Sequence, residues 1–80
     1  MTKTEIRLNY RYRIALDTTA DVLEFNRIAN KIKGDVLLTG EDMNLNAKSF
    51  IGVHMARIAW DELYVESDTD CYHDFEQFII

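Results

Sequence analysis

The sequence predicts a mixed α/β domain: one four-stranded, mostly antiparallel sheet with three helices on one face, in the element order βαββαβα. Three observations carry this expectation. Apolar and polar residues alternate over 5–14, 43–47 and 63–67, and a short apolar stretch fills 35–39, which gives four strands. Apolar positions at helical spacing follow a capping residue three times, after Thr18, Ser49 and Asp70. Only Gly40-Glu41-Asp42 separates the two middle strands, so they form a hairpin, and helices supply the remaining connections. Strand order stays open, because a ferredoxin-like sheet uses the same βαββαβ series.

The first strand places Ile6, Leu8, Tyr10, Tyr12 and Ile14 on one face and Arg7, Asn9, Arg11 and Arg13 on the other. That basic row reads as a solvated sheet face or as a patch for an acidic partner. Thr18 and Asp21 form a capping box for the first helix. Val22, Phe25, Ala29 and Ile32 are its buried stripe, with Ile28 beside them, and Gly34 is the expected left-handed residue after its end. Glu24, Arg27, Asn30 and Lys31 face outward. In the hairpin, Val36-Leu37-Leu38 is answered by Met43, Leu45 and Ala47 alternating with Asn44 and Asn46. Ser49 caps a helix through Ile58 in which Phe50, Ile51, Val53, Met55, Ala56, Ile58 and Ala59 exceed what one buried face can hold. Surplus apolar surface is therefore expected there. Trp60-Asp61 breaks into the strand Leu63–Ser67. Asp68-Thr69-Asp70 turns and caps a terminal helix striped by Tyr72, Phe75 and Ile79, with Phe78 alongside.

Eighty residues, with no proline and no linker, make a single domain over 1–80. A net charge of −5 argues against nucleic acid as a partner, since phosphate binding needs a basic surface. No apolar run reaches the about 20 residues of a membrane helix, and Met1–Glu5 lacks the apolar core of a signal peptide. The one cysteine makes no internal disulfide. These features read as a cytoplasmic protein with no membrane contact.

Residues 44–67 add a resemblance. Asn44-Leu45-Asn46-Ala47-Lys48-Ser49-Phe50-Ile51-Gly52-Val53, then a short helix and the strand Glu62-Leu63-Tyr64-Val65-Glu66-Ser67, resemble the second half of HPr. HPr is the histidine-containing phosphocarrier of the bacterial sugar phosphotransferase system. Ala29-Asn30-Lys31 is similar to the end of that family's first helix, and the element order fits about the whole chain. The resemblance implies the open-faced HPr sandwich. It also makes Ser49 the family's regulatory phosphorylation site, with Lys48, Phe50, Ile51 and His54 on the partner-binding surface. A dianion at a helix N-terminus meets free N–H groups and the helix dipole.

The phosphocarrier segment departs from the family. Where HPr has a Gly-x-His-x-Arg-Pro-like segment, this chain has Leu16-Asp17-Thr18-Thr19-Ala20-Asp21. Phosphoryl carriage needs an imidazole acceptor and a balancing cation, and neither Thr18 nor Thr19 is an imidazole. His54 is expected as an exposed polar residue, with Arg57 the one cation near it in sequence.

Other chemistry is sparse. A plain helix cap alone explains Ser49 fully. Asp68, Asp70, Cys71, His73 and Asp74 are the densest set of metal-ligand types, but successive residues around a helix start point apart. No metal and no cofactor are expected. Phosphate loops, supported nucleophile triads, HExxH and CxxC are missing from the sequence, so it does not read as an enzyme. The reading is an HPr-like regulatory or protein-binding module without a phosphocarrier histidine. Its partners are proteins of the phosphotransferase system or of transcription control, and it is a monomer or weak homodimer. The alternative is a homodimeric scaffold or binding domain of the same fold, unrelated to sugar transport.

Overall fold

Side-chain alternation along four strands builds one apolar layer in the computed structural model, which describes residues 10–80. The elements are β1 (Tyr10–Ile14), α1 (Thr19–Lys31), β2 (Val36–Thr39), β3 (Asn44–Asn46), α2 (Phe50–Ala59), β4 (Leu63–Ser67) and α3 (Tyr72–Phe75), followed by a 3-10 turn at Glu76–Phe78. The sheet order is β1-β4-β2-β3, and all three ladders are antiparallel. β4 thus lies between β1 and β2, and the α1 crossover must span it. The expected fold class, a four-stranded antiparallel sheet with three helices on one face, is the observed one. Ile6, Arg7, Leu8 and Asn9 of the expected first strand lie outside the described residues.

Register explains the two faces. Tyr12, Val65, Leu38 and Leu45 stand opposite one another across the four strands, and Ile14 faces Leu63. These residues point at the helices, and Val36, Leu38 and Val65 are at most 1% exposed. Arg11, Arg13, Leu37, Thr39, Tyr64 and Glu66 occupy the opposite face. There Glu66 accepts from Arg11 Nε and from Thr39 Oγ1, both at 2.9 Å, and the Arg11 guanidinium lies 3.8 Å from the centroid of the Tyr64 ring. Arg11 of the basic row is thereby paired with Glu66 across the strands.

Helix α1 starts as the sequence requires. Thr18 Oγ1 accepts from the Asp21 N–H, and the Asp21 carboxylate accepts from the N–H groups of Thr18 and Asp17. Val22, Phe25 and Ala29 are fully buried. The helix end differs from expectation. It closes at Ile32 in an extended conformation (φ −82°, ψ 134°), and no described glycine has a left-handed φ. Gly34 serves close approach instead: a Cβ there would lie 2.4 Å from Asp68 Oδ1. Met43, expected on the inner face of β3, precedes that strand and is 59% exposed.

The terminal segment also departs from the expected single helix. Phe75 and Phe78 both reach Phe25, with ring centroids 4.9 and 5.9 Å away. The chain beyond them pairs with β1, the Ala15 N–H donating to Phe78 O and the Ile80 N–H to Arg13 O. Pairing with the outer edge of β1 competes with helix continuation, so the helix tightens to 3-10 geometry and stops. Asp70 does not act as the N-cap residue, which is Cys71, but its carboxylate accepts from the Tyr72 N–H. Tyr72 is partly exposed, packed edge-on to Tyr12 rather than in the core.

Candidate functional site

Ser49 sits where the sequence puts it, one residue before α2, with its hydroxyl accepting from the Gly52 N–H at 3.2 Å. The residue is exposed. No acidic side chain occupies the first turn of α2, so an anion on Ser49 would meet free N–H groups and no carboxylate of that turn.

The surplus apolar surface of α2 is real. Val53 and Ala56 are buried against the sheet, while Ile51, Met55 and Ile58 are 62–70% exposed and Phe50 is 41% exposed. Ile51, Met55 and Ile58 are spaced i, i+4, i+7 and form one outward stripe. A stripe of this kind is the ordinary form of a helical docking surface.

Lys48 and His54, assigned to the same surface, are less exposed than Phe50 and Ile51. Lys48 turns inward: its ammonium donates to Ile32 O at 2.7 Å and to Gly34 O at 2.9 Å, closing the backbone beyond α1. Sequence spacing hides this because the acceptors lie 16 and 14 residues away. His54, expected as an exposed polar residue, is half-buried and stacked on Phe50, with centroids 6.1 Å apart and planes at 23°. Its Nδ1 is buried without a hydrogen-bond partner. One of its two ring nitrogens is thus inaccessible, because α2 turns this side of the ring toward the protein.

The segment Leu16–Asp21 is closed by its own side chains. The Asp21 carboxylate already holds the N–H groups of Asp17 and Thr18, which an anion would otherwise take. Arg57, the cation near His54 in sequence, donates instead to Leu16 O at 2.8 Å and Asp17 O at 2.6 Å. Thr18 is a cap and Thr19 opens the helix. Sequence reasoning did not find this role for Arg57, since nothing local signals a bond across 41 residues.

The acidic cluster near the C-terminus does not converge. Among the described residues no three His, Cys, Asp or Glu side chains could hold a metal ion together. Cys71 is fully buried; burial, with Asp74 and Asp70 nearby, pushes its thiol up to about 11. No described helix is long and apolar enough to cross a membrane. No protein-family model, curated protein or solved structure matches the chain.

Proposed function

We propose that the chain is an HPr-like protein-binding module that docks a partner protein through α2, without carrying a phosphoryl group. The outward stripe of Ile51, Met55 and Ile58 next to a capping serine is the observation that carries this reading. Ser49 is the switch. A phosphate there would place two negative charges beside Phe50 and Ile51 and change which partners the stripe accepts. The phosphotransferase-system link rests on the Lys-Ser-x-x-Gly-Val resemblance of residues 48–53.

Incubation with ATP and an HPr serine kinase, followed by intact mass and peptide mapping, tests the switch. Phosphate on Ser49 supports it. An unmodified chain beside authentic HPr modified in the same tube refutes it and leaves Ser49 a cap. The i, i+4, i+7 stripe also favours the second reading, a homodimer through α2. A sedimentation shift at micromolar concentration that Ile51→Glu abolishes would establish that reading.

A further inference from the structure

We propose that a second copy of this chain covers the α2 stripe, the two helices packing antiparallel about a twofold axis near Met55. Ser49 of each copy then faces Asp61 of the other, so charge at Ser49 governs the association. The inference rests on the reading of α2 as a docking surface and names its occupant, its register and its control.

Area and pattern favour a second copy. Ile51, Met55 and Ile58 are 62–70% exposed, Phe50 is 41% exposed, and Leu23 of α1 is 55% exposed. Leu23 lies one turn before Asn26, whose amide donates to Ala47 O ahead of α2, so it edges the same surface. Together these side chains offer roughly 600 Å² per protomer, and a symmetric pair buries roughly 1,200 Å², the lower end of what a stable dimer needs. The pattern is also self-complementary. Ile51 precedes Met55 by four residues and Ile58 follows it by three. A twofold axis at Met55 sets Ile51 of each copy beside Ile58 of the other, as an isologous interface requires.

Charge sets the direction. No Asp or Glu occurs from Met43 to Trp60, in a chain of net charge −5. The first turn of α2 has no acidic residue, and the Lys48 ammonium beside it is bonded to carbonyls, not to a carboxylate. Lys31, Lys33 and Lys48 there outnumber Asp35 and Asp68. At the other end the helix dipole is negative. Asp17, Asp61 and Glu62 are exposed at that end, against Arg57 in the last turn and Arg13, 3.8 Å from Glu62. Each α2 is thus positive at its start and negative at its close. Antiparallel pairing joins unlike ends and opposes the two dipoles, whereas parallel pairing joins like ends. Ser49 and Asp61 each stand six residues from Met55, about 9 Å along a helix, so the axis brings them opposite one another.

Ser49→Asp is the probe, since aspartate caps a helix as well as serine does and adds a charge. Sedimentation equilibrium in low salt should show the parent chain dimerising at micromolar concentration. Ser49→Asp should dimerise about tenfold more weakly, and adding Asp61→Lys should restore the parent affinity. About 1 M salt, where the screening length is roughly 3 Å, should erase these differences. Met55→Cys should form a disulfide between copies under mild oxidation, while Met43→Cys, 59% exposed but off the helix, should not. Cys71 is fully buried and does not compete. A monomer at every concentration overturns the second copy as occupant and leaves α2 to a different protein. A dimer in which Met55→Cys crosslinks no faster than Met43→Cys overturns the inference and counts against α2 as a docking surface at all. Crosslinking through Met55→Cys without recovery by Asp61→Lys overturns the antiparallel register.

Discussion

Replacing Lys48 by methionine separates a structural lysine from a partner-binding one. The substitution keeps an apolar stem of similar length and deletes the ammonium that donates to Ile32 O and Gly34 O. Hydrogen bonds to a charged group contribute about 1.5–3 kcal/mol each when buried. Lys48 is half-buried, so water can reach part of the exposed carbonyls, and the two bonds together should contribute about 2 kcal/mol. For a domain of this size, 1 kcal/mol moves Tm by about 4–8 °C, so the variant should melt roughly 8–16 °C lower. Urea unfolding should show a lower midpoint at unchanged slope. Lys33→Met, at an exposed site beyond α1, is the control and should stay within about 0.5 kcal/mol of the parent. Equal stability of the two variants would refute the assignment, and would return Lys48 to the surface offered to partners.

Three further outcomes follow from the geometry. Thr18→Ala removes one half of the capping box and should cost about 1 kcal/mol in chemical denaturation, whereas Thr19→Ala should cost little. Phe75→Ala removes one of the two rings packed on Phe25 and should cost about 3–5 kcal/mol, a large share of the stability of a small domain, as calorimetry would show. The Cys71 thiol should resist alkylation in the folded state at pH 8 and react on unfolding. Its folded pKa lies above the unfolded value, so its contribution to stability is complete below pH 9.0 and falls as pH rises toward about 11. Cys71→Ala should flatten that alkaline decline in urea midpoints measured across the same window.

Local signals marked most of the elements. The alternation of residues 63–67 ends where β4 ends, and the Thr18–Asp21 box and the Ser49 cap both form the bonds their residue types imply. The excess of apolar residues in 50–59 is visible as exposed surface on α2. These features depend on neighbours within one helical turn or one strand, so periodicity and capping chemistry are enough to find them. Gly34 shows where that reasoning stops. A glycine near a helix end reads locally as a left-handed cap, but here its missing side chain makes room for Asp68, 34 residues later.

Composition, capping residues and hydrophobic period by themselves determined the α/β class, its element order, and an apolar surplus behind Ser49. Tertiary structure alone decided that β4 inserts between β1 and β2, because strand pairing is a choice among edges that every strand offers alike. It alone turned Lys48 and Arg57 inward onto backbone carbonyls. Long cations reach whatever acceptors the fold brings within hydrogen-bonding distance, and those acceptors are distant in the chain.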